Sequence, residues 1–200
     1  FDPERALDQA LKLEEEGADF LDVGAESTRP QASSVSEDEE QRRLLPILKK
    51  ITPHLKIPIS IDTRKAIVAQ KAIDEGASII NDVSGLSFDA DMIKVLQNSS
   101  AGFVLMHSRG TPATMHQLNQ YAGLIPTLQN FFRSKLEELN RLGVESNRIL
   151  LDPGIGFAKI GDQNLEILAN LRQLNVGERP LLIGLSRKSF LEPYFGPTQH

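Results

Sequence analysis

The chain has no cysteine among its 200 residues. That absence excludes disulfides, thiolate nucleophiles and Cys-based zinc sites, and it fits a reducing cytosol. A broad excess of positive charge is also missing: 22 Lys and Arg stand against 27 Asp and Glu, for a formal net charge of −5. A nucleic-acid footprint is therefore not expected, and any anion site must be local. No apolar run approaches the ~18 residues that a membrane span needs, and no charged-then-apolar leader opens the sequence. The expectation is a cytoplasmic protein with neither nucleic acid nor membrane as partner. The sequence starts at Phe1 rather than Met, as a piece of a longer chain would. Neither GxGxxG nor GxxxxGK[ST] follows the first strand-like run, which weakens a nucleotide-binding open sheet.

What is present alternates. Short apolar runs recur at "FLDV" (20–23), "IPISI" (57–61), "SII" (78–80), "GFVLM" (102–106), "RILL" (148–151) and "PLLIGL" (180–185), flanked by Gly, Pro or Asp. They read as parallel strands. Helical periodicity fills the gaps: residues 4–16 place Leu7, Ala10, Leu11 and Leu13 on one face before Gly17. Residues 128–142 do the same with Phe131, Phe132, Leu136, Leu139 and Leu142 before Gly143. Pro46 argues against an unbroken helix over 37–51. The chain also resembles itself, "EGADFLD" (16–22) matching "EGASIIN" (75–81), as if one βα unit were repeated. Strict βα alternation leaves two architectures, an open doubly wound sheet or a (β/α)8 TIM barrel. The strand spacing is about 32 residues per unit, so eight units need about 258, close to the ~250 of a barrel. The chain is thus expected to be one barrel domain over 1–200, without its first strand and its last βα unit.

Each run ends on a polar side chain: Asp22, Asp62, Asn81, His107, Asp152 and Ser186. The C-terminal strand ends are where α/β folds bind ligands, although Asp, Asn and Ser also cap helices. "SIDTRK" (60–65) offers Asp62 as an acceptor for a ligand N–H, or else as a cap for the helix that follows. "NDVSG" (81–85) offers an amide that donates and accepts, or else an Asx turn. In "DPGIGFAK" (152–159) two glycines would let a ligand approach the backbone between Asp152 and Phe157. "GAESTRP" (24–30) opens a stretch to about 37 with the length and composition of a mobile active-site loop, carrying Arg29 beside Pro30. "GLSRKSF" (184–190) sets Arg187 and Lys188 where a helix should begin, an unfavourable place for cations unless an anionic or electron-rich ligand sits opposite. His107 and His116 have no metal-pair spacing, and His107 reads as a structural hydrogen bonder.

Six motifs in order, "GAESTRP", "SIDTRK", "INDVSG", "LMHSRGTP", "DPGIGFAK" and "GLSRKSF", closely resemble the dihydropteroate synthase family of the folate pathway. The resemblance implies a (β/α)8 barrel, a homodimer, a sulfonamide target and a Mg2+-assisted transferase. Such an enzyme condenses 7,8-dihydropterin-6-ylmethyl diphosphate with 4-aminobenzoate, releasing pyrophosphate. It further implies that Asp62, Asn81, Met106, Asp152 and Lys188 hold the pterin, and that Thr28, Arg29, Pro30, Phe157 and Ser189 line the aminobenzoate side. Lys188, Asp62 and Arg29 would be the catalytic set. The family's Asn-x-Thr-Pro-Asp-Ser-Phe loop, whose Asn binds Mg2+, and its final Arg and His have no counterpart in residues 1–200. No metal ligand is expected from this chain, and weak or no turnover is expected from it alone. Ala25 and Ala158 replace frequent family glycines at the cost of one methyl each. Two other readings compete: a pterin-binding methyltetrahydrofolate methyltransferase, against which "ESTRP" and "SRKSF" argue, and a non-catalytic pterin-binding remnant.

Overall fold

The computed structural model describes residues 2–28, 33–111, 114–186 and 188–196, without the side chains of His116 and Phe195. In chain order the elements are α1 (Pro3–Glu15), β1 (Leu21–Gly24), α2 (Glu37–Ile51), β2 (Ile59–Asp62), α3 (Ala66–Asp74) and β3 (Ile79–Asp82). They continue with α4 (Met92–Gln97), β4 (Gly102–Met106), α5 (Leu124–Arg141), β5 (Ile149–Asp152), α6 (Asp162–Ala169), α7 (Leu171–Leu174) and α8 (Glu192–Phe195). Among the described residues five strands form one parallel sheet in the order β1-β2-β3-β4-β5. A doubly wound sheet reverses its strand order partway. This one never does, so it is built as the wall of a (β/α)8 barrel.

Strand register shows what each face does. Side chains alternate between faces. Leu21, Ile59, Ile61, Ile80, Phe103, Leu105, Ile149 and Leu151 belong to the same buried core as Leu44, Leu48, Ala69, Leu96, Leu128 and Phe132 of the helices. The opposite face runs Asp22, Ser60, Asp62, Asn81, Val104, Met106 and Asp152, tied by the pairings Asp22↔Ser60, Asp62↔Asn81, Asn81↔Val104 and Met106↔Asp152. The helix-facing layer supplies the hydrophobic stabilisation, which leaves the inner face free to carry polar groups.

Local chemistry accounts for the helix ends. Asp2 caps α1 by accepting from the N–H groups of Glu4 and Arg5, with Pro3 in the first turn, and Ser36 caps α2 by accepting from Glu39 N–H at 3.3 Å. α2 runs unbroken through Pro46, contrary to expectation. Its acidic first turn, its basic last turn and the full burial of Leu44, Leu48 and Ile51 outweigh the ~3 kcal/mol that an interior proline costs. The repeated unit is real at its helix ends: Gly17 and Gly76 both turn left-handed, and Ala18 and Ala77 donate back to Leu13 and Ala72 at 3.0 and 2.9 Å.

Three further expectations need correction. The run at 180–185 is not a strand; it makes one parallel bridge, Leu151↔Leu181. Leu151 donates to Pro180 and accepts from Leu182, but the next donor on β5 would be Pro153, which has no N–H. In α1, Leu11 and Leu13 are 40% and 36% exposed, because Ala6, Leu7 and Ala10 already fill the strip that meets the core. Leu142 likewise lies outside, 40% exposed, beyond the end of α5.

Candidate functional site

The strand-end residues reach the inner rim for distinct local reasons. Asp62 does not cap α3. The first N–H of that helix, on Ala66, is taken by Asp89 at 2.8 Å, which leaves the Asp62 carboxylate unclaimed by the helix. Burial, and then the carboxylates of Asp22, Glu40, Asp82 and Glu26, push its pKa well above the usual carboxylate range. Asn81 is not the turn-former either. Its neighbour Asp82, on the opposite face, accepts from Ser84 N–H and Leu86 N–H at 2.8 and 2.9 Å and turns the loop. The buried Asn81 donates from Nδ2 to Asp22 Oδ2 at 3.1 Å, and its Oδ1 is buried with no partner.

Asp152 does make a local turn: Oδ1 accepts from Gly154 N–H at 2.7 Å. Burial pushes its pKa up to about 6, against the pull of that hydrogen bond and of the nearby Lys159 and Lys188. Lys188 lies over the Phe157 ring, 4.7 Å from its centroid, and burial lowers its pKa while Asp152 opposes the change. The glycines of this loop serve protein packing. A Cβ on Gly154 would sit 2.1 Å from the His107 carbonyl, and one on Gly156 would press on Lys188 at 3.4 Å. Ala158 has φ 53°, so its departure from glycine carries backbone strain on the order of 1 kcal/mol, not merely an extra methyl.

Met106 is fully buried beside Asp152 in register. Phe157 and Thr28 are half-buried, and Ser189 is exposed at the start of a short 3-10 turn, Ser189–Leu191, that precedes α8. Arg29, Pro30 and Arg187 lie outside the described residues, as does the side chain of His116. Ser186 is exposed. His107 is structural through its backbone, donating to Asp152 O at 2.9 Å and accepting from Lys159. Its ring stands edge-on to Phe131 with Nδ1 unpaired, and burial with the nearby Lys159 and Arg109 holds it neutral, its pKa lowered to about 3.

Two groups that the sequence did not single out hold the rim in place. Lys159 is 2% exposed and its ammonium donates to the carbonyls of His107, Gly154 and Phe157 at 3.0, 3.1 and 2.8 Å. It thereby fastens the loop after β5 to the end of β4, while burial lowers its pKa to about 7. Below the loop after β1, Glu26 accepts from Arg64, Lys65 and the Val35 N–H at 2.8, 2.6 and 3.2 Å; Lys65 also pairs with the fully buried Glu40, which accepts from Thr63 at 2.7 Å. Burial works against the charged form of Glu26, but these hydrogen bonds hold its pKa below the usual value. Glu26 so clasps both ends of the 26–37 loop. Composition offered no signal for either arrangement, because Lys and Glu ordinarily mean surface.

A polar inner face flanked by an aromatic ring and a partly desolvated lysine matches a family defined by its ligand. The model of the pterin binding enzyme family matches residues 1–199. The chain belongs to that family. A dihydropteroate synthase from Synechocystis is 43% identical over 93% of the chain, and the chain spans 64% of that relative's length, less than two thirds. Among solved structures, a dihydropteroate synthase from Clostridium difficile determined in the presence of pteroic acid superimposes with a TM-score of 0.90 at 38% identity, covering 98% of this chain and 72% of its own. That from Yersinia pestis, in complex with a sulfonamide drug, gives 0.91 at 34% identity, with 98% and 71% covered. Among the described residues of this member of the pterin binding enzyme family, no helix is long and apolar enough to cross a membrane, and no three His, Cys, Asp or Glu side chains converge to hold a metal ion.

Proposed function

We propose that the protein is the pterin-binding part of a dihydropteroate synthase, joining 7,8-dihydropterin-6-ylmethyl diphosphate to 4-aminobenzoate in folate biosynthesis. The observation that carries this reading is the acceptor-lined inner rim: Asp62, the unpaired buried Oδ1 of Asn81, and Asp152, whose Oδ1 takes the Gly154 N–H. An aminopyrimidinone ring offers amino and ring N–H donors to such a rim, and a heterocycle without them would leave buried acceptors unpaired. Met106 would pack on the ring. Pteroic acid, present with the Clostridium difficile relative, contains both a pterin and an aminobenzoate half.

In the reaction, the C–O bond from the exocyclic methylene to the diphosphate breaks and the electron pair leaves with pyrophosphate. The cation left on the methylene is delocalised into the pterin. The arylamine nitrogen of 4-aminobenzoate then forms the new C–N bond and loses a proton. Asp62 and Asp152 orient the pterin through its N–H groups, and Lys188, over Phe157, places a positive charge beside the ring and the departing group. Thr28, Arg29, Pro30, Phe157 and Ser189 would receive the aminobenzoate, with Arg29 also near the diphosphate. Mg2+ would neutralise diphosphate charge. The described residues give it no coordination set, so no step here depends on it. A homodimer, a cytoplasmic location and sulfonamide binding belong to the same proposal, the last supported by the Yersinia pestis complex.

The test is aminobenzoate-dependent pyrophosphate release with Mg2+, run beside calorimetry with 7,8-dihydropterin. Saturable pterin binding with weak turnover is the expected result. Methyl transfer in place of pyrophosphate release, or no pterin binding at all, would overturn the reading.

A further inference from the structure

Asn81 on the inner rim can present either sign of hydrogen-bonding group, a carbonyl oxygen or an NH2. Which one faces the centre is settled by a neighbour two strands away. Asp22 stands one pleat below the rim, paired in register with Ser60, and its Oδ2 lies 3.1 Å from Asn81 Nδ2. A carboxylate oxygen only accepts, so the amide must offer Asp22 its NH2. The amide is planar, and spending the nitrogen on Asp22 leaves Oδ1 turned elsewhere. That oxygen is buried without a partner among the described residues. Buried polar atoms are overwhelmingly paired, so an unpaired acceptor beside Asp62 is a place kept for a donor.

We propose that Asp22 is a positioning residue: it turns the Asn81 amide so that Oδ1 meets the ligand, and so makes the site select a 2-amino pteridine over a 2-oxo one. The inference rests on the pterin reading and deepens it. The first strand-end residue thereby acquires a role that its exposed position conceals. Pterin and lumazine share the bicyclic frame and the 4-oxo group, and differ in that C2 carries an amino donor in one and a carbonyl acceptor in the other. Against a fixed Oδ1 the amino group is bound, and the carbonyl meets oxygen. Without Asp22 the amide is free to rotate by half a turn and offer its NH2 to the carbonyl. Ring N1 changes with C2, an acceptor in pterin and an N–H donor in lumazine, so the second N–H of Asn81 meets N1 of pterin and the rotated amide turns Oδ1 to N1–H of lumazine.

The experiment is calorimetry of the wild-type chain, Asp22→Asn and Asp22→Ala with pterin and with lumazine. Wild type should bind pterin and discriminate against lumazine. Asp22→Ala should lose that preference by about tenfold, the worth of one hydrogen bond to a charged group, whereas Asp22→Asn, whose Oδ1 can still accept from Asn81 Nδ2, should keep most of it, both with unchanged melting temperature. Asp22→Asn is isosteric and Asp22 is exposed, so folding is preserved. A preference retained in Asp22→Ala overturns the inference and leaves the pterin reading standing. A wild-type chain that binds neither pteridine overturns the pterin reading and this inference with it. A ligand-free readout is the 15N-labelled side-chain amide of Asn81: its proton facing Asp22 should be protected from exchange in wild type and unprotected in Asp22→Ala, and equal protection counts against the assignment.

Discussion

Replacing Asp152 by Asn should make the protein more stable and a poorer binder. The carboxyl is 8% exposed and its pKa is raised from 3.8 to about 6, burial being the largest cause. A raised carboxyl pKa means that the folded state favours the protonated form. The stabilisation is complete below about pH 4 and is lost as pH rises through about 6, so at pH 7.5 the buried charge costs about 3 kcal/mol. Asn avoids that cost and can still accept the Gly154 N–H. Lys159 and Lys188 lose an attractive neighbour, which offsets part of the gain. The net expectation is stabilisation of about 1–3 kcal/mol at pH 7.5, shrinking towards zero near pH 4, measured by urea unfolding at both pH values. Pterin affinity should fall ten- to over a hundredfold, because charge-assisted hydrogen bonds contribute roughly 1.5–3 kcal/mol. A variant less stable than wild type at pH 7.5, or one that binds pterin equally well, would refute the argument that Asp152 is held at a cost for ligand recognition.

Lys65→Met should destabilise the fold by roughly 3–5 kcal/mol, since it leaves Glu40 and Glu26 buried without their shared cation; a chemical denaturation midpoint unchanged from wild type would show the network to be dispensable. Lys159→Met should loosen the loop after β5 by stripping donors from three carbonyls, seen as faster amide hydrogen exchange over residues 154–158 with little change in the distant α1. Uniform exchange rates in the two proteins would contradict a local clamp.

The order of strands and helices and the identity of the rim side chains follow from the sequence itself, because parallel strands are short apolar runs and each rim position is simply the polar residue that stops one. Six motifs in series were sufficient to point to the pterin-binding family. What the linear pattern could not convey is how those side chains are shared out. Asp62 is released from helix capping only because Asp89, 27 positions along the chain, takes the amide of Ala66. Asn81 is oriented only because the sheet brings Asp22 within 3.1 Å of it. The sixth apolar run fails to extend as a strand because its ladder partner is Pro153. Lys159, Lys65, Glu26 and Glu40 read as surface charges until packing buries them together. Propensity and periodicity act on neighbours in sequence, whereas desolvation and hydrogen-bond satisfaction depend on which atoms share a buried volume, and that is settled when the sheet closes over its helices.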